Sequence, residues 1–459
     1  MGVHSSMVQS NQKISKKELF SYFSYGVGQC ISFGLVGTFI LYFYTDILGI
    51  SAIAASTIFL IARAWDAIID PLIGGVMDTL NSKHGKFRPY MLYTPFVIIL
   101  VTVFCFLPLD LSPTGKIIYA GITYILWGMV YAVSDVPFWS MTSVMSQDKK
   151  ERSKLVTFAN LGIVVGMGIP TLLFNPIAEW AGKGNTEDGY TLTVVILMLI
   201  SLPLMIIGFK NTKERVKHSG EKIKLIDVFK VVKTNKHLFV ILATFLCSTF
   251  MNIATGLYVY FFKYNLGSAS LMSIFGVISV FSGLGFLLLP FLISKFKKKH
   301  IFMSVALIDI LIRLVFFFVG YENTMVVFIF LAIVTCLHSL TTPIISAMIV
   351  DTIEYSEWRT GRRCEAITFS GQTFTGKLSI AIAGGLTGVV LNAIGYLPGQ
   401  AQSSQTLSGL FFCIVLIPAL GSVLRLVCMS LYTFTEDKHE AIVEELNSRS
   451  MLKSKQQIL

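Results

Sequence analysis

The sequence predicts an all-α membrane protein: twelve transmembrane helices in two pseudo-symmetric halves of six. The first observation is composition. The chain has 459 residues, 54% hydrophobic and 14% charged, which is too apolar for a soluble protein of this size. The second is period. Apolar runs recur at the length of a bilayer-spanning helix rather than as ten-residue alternating segments, so a helical bundle is favoured over a barrel. The third is the placing of Lys and Arg, which gather on alternate connections.

Hydropathy places the spans near 20–47, 51–79, 90–110, 117–146, 154–178 and 190–209, then 238–264, 268–294, 301–320, 325–353, 366–395 and 406–433. A polar stretch follows the sixth. If Lys13, Lys16 and Lys17 are cytoplasmic, so are Lys83, Lys86 and Arg88, then Lys149 to Lys154, the Lys-rich centre from Lys210, Lys295 to Lys299, and Arg359 to Arg363. The other connections hold only Lys116, Lys183 and Lys263. The positive-inside rule then puts both termini in the cytoplasm and the chain in the cell membrane. The expected divisions are an N-terminal segment (1–19), a first bundle (20–209), a linker (210–237), a second bundle (238–433) and a tail (434–459). In the linker, Leu225, Ile226, Phe229 and Val232 share one face between lysines, as in an interfacial amphipathic helix or, alternatively, a solvated connector. The tail is expected to be partly disordered. The first seventeen residues lack an apolar core with a cleavage site, so the first span is expected to act as its own insertion signal.

A formal charge of +11 could suggest nucleic acid, but the basic residues are dispersed over short loops without an aromatic-interleaved patch. The bilayer explains them better. No CxxC occurs and most cysteines lie in apolar spans, which reads as buried free thiols. His237, His300 and His338 lack metal-ligand spacing, and no HExxH or nucleophile-and-base motif points to an enzyme. The expectation is a monomer, without cofactor or metal, that moves a small molecule.

What it moves is indicated by charges inside the spans. Arg63, Asp66 and Asp70 occupy the second span, where a charge at the centre of a lone helix costs roughly 2.5 to 3.5 kcal/mol. At 100° per residue the three fall within about 60° of one another. Asp66 and Asp70 lie roughly 6 Å apart along the axis, close enough to share a proton or a small cation. The alternative is that Arg63 neutralises one acid merely to hold helices together. That leaves a surplus carboxylate, which burial does not tolerate without a ligand. Tyr131, Asp135 and Trp139, four apart on the fourth span, make a second stripe. A carboxylate accepting two hydroxyls beside an indole that stacks on a sugar ring is a physical means of gripping a carbohydrate. Asp309 and Arg313, i and i+4 on the ninth span, neutralise each other and read as structural. Arg425 is expected to be paired or to snorkel.

Twelve spans split by a linker is the plan of the major facilitator superfamily, and GGVMDTLNSKHGKFRP (74–89) resembles its loop after the second helix. Asp78, at a helix C-terminus, is poorly placed for the dipole and calls for a basic partner. More specifically, LYFYTD (41–46), RAWDAIIDP (63–71), GKFRP (85–89), TYILWGM (123–129), SDVPFWS (134–140), DKKERSKLV (148–156), EYSEW (354–358), RCE (363–365) and QTFTGK (372–377) occur in order. Together they resemble the glycoside-pentoside-hexuronide:cation symporter family over almost the whole chain.

The resemblance implies that Asp66 and Asp70 form the cation site, that Asp135 and Trp139 bind sugar, and that Lys377 stands at the junction of the two sites. It also implies that Arg152, Asp351, Glu354, Arg363 and Glu365 belong to cytoplasmic interdomain salt bridges that break when that gate opens; the alternative is ordinary solvated loop charges. The chain departs from the family pattern at several positions. Ile69 replaces an asparagine between the two acids and Ala132 a threonine, both of which favour sodium. Sodium prefers several hard oxygen ligands, whereas a proton needs one carboxylate, so H⁺ is preferred over Na⁺, with Asp70 as carrier. Cys30 replaces an aspartate, Asn160 an arginine and Thr342 a tryptophan. Two sugar anchors therefore vanish together. Asn160, Gln372 and Thr373 remain as neutral hydrogen-bonding groups, and Lys377 suits a hexuronide carboxylate. The expected function is cation-coupled sugar import; a proton-coupled drug antiporter or an uncoupled facilitator is the alternative.

Overall fold

The computed structural model describes residues 13–79, 85–146, 148–215, 235–360 and 365–456. The linker segment around Leu225 to Val232 lies outside the described residues, as does Arg363, and so do the side chains of Asp70, Asp78 and Glu365.

Every helix long enough to span follows from the apolar runs above. The helices are α1 (Lys16–Tyr42), α2 (Ala52–Thr79), α3 (Arg88–Cys105), α4 (Pro113–Val144), α5 (Lys149–Gly182) and α6 (Thr186–Asn211). Next come α7 (Lys236–Leu246), α8 (Thr249–Tyr260), α9 (Leu271–Gly283), α10 (Leu289–Lys295), α11 (Lys298–Val319) and α12 (Thr324–Thr360). The chain ends with α13 (Glu365–Ala393), α14 (Ser404–Ser430) and α15 (Glu436–Gln456). Among the described residues, eleven stretches have the length and apolarity to cross a bilayer; α7 with α8 makes one and α9 with α10 another. α2, 28 residues long, is the twelfth helix of spanning length.

The chain divides into two units. The first holds residues 1–220 with 258–280 and 385–407; the second holds 221–257, 281–384 and 408–459. In the first unit α1 is the enclosed element. Its start is fixed by a capping box, Ser15 accepting from the Glu18 N–H while Glu18 accepts from the Ser15 N–H. α5 and α6 close over it because small residues allow backbone contact. A Cβ on Gly166 of α5 would lie 2.5 Å from the Val27 carbonyl oxygen, and one on Gly28 of α1 would lie 2.8 Å from that of Ser201 on α6.

α1 and α8 end alike. Each widens into a π turn, Phe43–Ile47 and Phe261–Asn265. Each then stops at a glycine with positive φ, Gly49 at +71° and Gly267 at +76°. Tyr42-Phe43 with Leu48-Gly49 repeats as Tyr260-Phe261 with Leu266-Gly267. The same short pattern thus builds the same helix ending twice.

In the second unit the seventh span breaks between α7 and α8. Ser248, Thr249 and Asn252 all hydrogen-bond Ser379 of α13, at 2.8, 3.1 and 3.0 Å, so side chains occupy the place of helical continuity. The tail, expected to be partly disordered, forms α15. Mostly polar, with only a short apolar patch at Ile442, Val443 and Leu446, it owes its order to docking. Ile442 packs on the apolar cluster of Leu238, Ile345 and Phe434. The Trp358 indole donates to Glu445 at 2.7 Å, Lys297 pairs with Asp437 at 2.7 Å, and the Lys298 N–H donates to Glu436 at 2.7 Å. The Trp358 N–H and then the Arg449 guanidinium hold the Glu445 carboxyl below the usual carboxylate range.

Candidate functional site

α2 and α4 pack together in the first unit and bring the second-span charges onto α4. Arg63 Nη1 lies 3.0 Å from Asp66 Oδ2, and Arg63 Nη2 donates to the Tyr124 hydroxyl at 3.4 Å. One turn along α4 from Tyr124 comes Gly128. A Cβ there would sit 3.0 Å from Asp66 Oδ1, so the missing side chain makes room for the carboxylate. Asp70 follows one turn after Asp66 on α2.

Asp135 stands seven residues beyond Gly128, on the same face of α4 and about 10 Å along its axis. Gln29 of α1 donates to Asp135 Oδ1 at 2.9 Å. The Gln29 carbonyl oxygen accepts from Ser134 at 3.1 Å, and Ser134 meets Tyr25 at 3.2 Å, which meets Thr94 of α3 at 3.3 Å. This chain of partners fixes the amide of Gln29 and with it the acid. Tyr131 stacks on Trp127 at 5.4 Å and touches Phe33 at 5.1 Å, its hydroxyl 3.8 Å from Cys30 Sγ. Trp139 is half-buried and edge-on to Phe138 at 5.5 Å.

Gln29 was not among the residues expected at the site. Its signal was present: Tyr22, Tyr25, Gln29 and Ser32 follow i, i+3, i+7, i+10 along an apolar span, a polar stripe on α1 facing that on α4. Asp46, inside the LYFYTD motif, was given no role. The π turn places it, buried, where Thr45 donates at 2.7 Å, Tyr396 at 2.5 Å, and the Tyr264 hydroxyl also donates, with Lys263 Nζ at 3.8 Å. Those partners come from the end of the seventh span and from just after α13, far apart in sequence.

The other expected residues have the following surroundings. Asn160 is exposed on α5 and its amide donates to the Val156 carbonyl of its own helix at 2.8 Å. In the second unit, Gln372 donates to Ser346 of α12 at 2.8 Å, and Thr373 and Lys377 are exposed on α13. Lys377 lies two residues before Ser379, the hydroxyl that gathers the seventh-span break. Of the gate residues, Asp351 pairs with Lys298 of its own unit at 2.5 Å, and Glu354 meets His439 of α15 at 2.6 Å. Arg152 is exposed near the start of α5. The structure thus gives Asp351 and Glu354 partners within one unit, a tail-helix role that solvent-facing sequence charges do not announce.

Comparison with known proteins extends over the same residues. The family model described as MFS/sugar transport protein matches residues 21–436. The chain is 35% identical over 450 residues to an uncharacterized symporter, YnaJ, of Bacillus subtilis (strain 168), covering 95% of this chain and 96% of that one. It is 29% identical over 456 residues to the glucuronide carrier protein homolog of Escherichia coli (strain K12), covering 98% and 99%. Among solved structures, a bacterial homolog of the human lysosomal transporter Spinster, inward-facing and occupied, superposes with a TM-score of 0.66 at 15% identity, covering 92% of this chain and 97% of that one. That likeness concerns the fold.

Proposed function

Because this chain belongs to the MFS/sugar transport protein family, we propose that it is a cation-coupled sugar symporter of the cell membrane, importing a glycoside, pentoside or hexuronide by alternating access with H⁺ as the coupling ion. The observation that carries this reading is the face of α4, which presents Gly128 to Asp66 and, two turns on, Asp135 held by Gln29. One helix therefore meets both Asp66 of α2 and the carboxylate suited to sugar hydroxyls, so occupancy at one end biases the other. Arg63 is bonded to Asp66, and α2 carries one more carboxylate in this stripe than it has bases. Asp70 is the proton carrier and Asp66 its partner.

Lys377, Gln372 and Thr373 of α13 are the further substrate-binding groups of this reading. A glucuronide carrier protein homolog among the relatives supports a sugar acid as one substrate class, with Lys377 as counter-charge. Asn160 enters the site only by a rotation that frees its amide from Val156. The two bundles, 20–209 and 238–433, rock about this site with both termini and the 210–237 linker in the cytoplasm, as a monomer. On the cytoplasmic side, Arg152, Asp351, Glu354, Arg363 and Glu365 exchange partners as the gate opens, while Asp46 with Tyr264 and Tyr396 latches the opposite side.

Adding candidate sugars to de-energised cells expressing the protein, with external pH recorded, tests this. Sugar-evoked alkalinisation that disappears in Asp70→Asn is expected. Sodium-stimulated uptake without alkalinisation overturns the choice of ion. Efflux of lipophilic cations with no response to any sugar overturns the symport reading in favour of drug antiport, and sugar equilibration with neither ion favours a facilitator.

A further inference from the structure

The second unit buries a charged cluster apart from the residues assigned above. Asp309 of α11 accepts from Arg313 Nε at 3.0 and 2.9 Å and from the Ser422 hydroxyl of α14 at 2.6 Å, so both of its oxygens are engaged. Arg425 lies one turn after Ser422 on α14 and is 6% exposed, so it is buried rather than snorkelling to the interface. Its Nε is buried without a hydrogen-bond partner, and no carboxylate lies within 4 Å of it among the described residues. A guanidinium does not shed its proton in a protein. One carboxylate therefore faces two fixed cations, leaving a positive charge uncompensated inside a helix bundle that spans the bilayer.

Beside these groups is a small, partly open cavity with about 10 Å³ of space for a water-sized species, lined by Arg313, Arg425, His338, Ser422 and Cys247. That is room for one such species. We propose that this cavity is a binding site for a single small monovalent anion, chloride, held by Arg425 and Arg313. Water would satisfy the Nε–H but leave the charge. A carboxylate, sulfonate or phosphate is too large for the space. A monatomic anion does both, balancing the cluster and accepting the orphaned donor. The site belongs to the packing of α11, α12 and α14 with the seventh span, so its occupancy sets the stability of the second unit rather than the identity of the sugar.

Melting of the purified full-length protein in sodium chloride and in sodium gluconate, at equal sodium and equal ionic strength, tests this without reference to transport. The expected result is a saturable rise in Tm of a few degrees with chloride. Arg425→Gln is expected to abolish that dependence and to melt in gluconate no lower than the wild type. Equal Tm values for the wild type in the two salts would mean water alone and overturn the proposal, as would a chloride shift retained in Arg425→Gln. If that variant does not fold, bromide-soaked crystals of the wild type decide: an anomalous peak beside Arg425 supports the site, and its absence there removes it.

Discussion

Among the described residues, two Asp–Arg pairs lie within the membrane helices of this protein, and they differ in what surrounds them. Arg63 and Asp66, three apart on α2, keep side-chain exposures of 21% and 18%, and Arg63 also donates to Tyr124 at 3.4 Å. Asp309 and Arg313, four apart on α11, are 10% and 3% exposed and locked by two bonds plus a serine. The first pair is half-buried; the second is sealed. Similar residue types at similar spacing therefore serve different ends. A carboxylate that must exchange its cation needs access and few fixed partners, whereas one that only stabilises a bundle needs all its lone pairs filled.

Removing the acid from each pair tests that contrast. Asp309→Ala strands Arg313 beside Arg425 and is expected to destabilise the protein by about 3–5 kcal/mol, read as loss of folded protein in thermal melts. Replacing both partners, Asp309→Leu with Arg313→Leu, is expected to restore melting to within a few degrees of the wild type, because apolar packing substitutes for a sealed pair. If the double variant melts as low as the single one, the pair is more than structural. Asp66→Asn reverses the pattern. Its Tm is expected to move far less than that of Asp309→Ala, while sugar-evoked proton uptake drops about tenfold or more, equivalent to about 1.4 kcal/mol of lost cation binding. A stability loss matching that of Asp309→Ala would show that Asp66 also belongs to the sealed class. The smallest effect is expected from Gly128→Ala, whose new Cβ lies 3.0 Å from Asp66 Oδ1 and must push it by a few tenths of an ångström. Coupled uptake should decrease a few-fold in flux assays with Tm unchanged; unchanged flux would show that the position of Asp66 against α4 is not critical.

Much of the arrangement is legible in the chain because membrane helices obey strong local rules. Lipid leaves backbone groups no partner outside the helix, so spanning segments are recovered from hydropathy alone. Charges within spans are rare enough that Arg63, Asp66, Asp135 and Asp309 stand out directly. Gln29 and Ser379 were harder to find because neutral polar residues in a span cost little and carry no single meaning; only their partners show what they hold. Asp46 is acidic and near a span end, where acids are ordinary, and its importance comes from tyrosines 218 and 350 residues away. The order of α15 was hidden for the opposite reason: its stability comes from contacts with other elements and not from a pattern of its own.

The sequence by itself determined the class, the spans, the location of charge and the family, since each depends on the cost of placing one residue type in hydrocarbon or on a short motif read in order. Only the tertiary structure decided which partners surround Asp66 and Asp309, which amide supports Asp135, and where a buried guanidinium nitrogen is left without a partner. Those are properties of pairs brought together from distant parts of the chain, and electrostatic and hydrogen-bond energies depend on separations and burial that spacing along one helix does not fix.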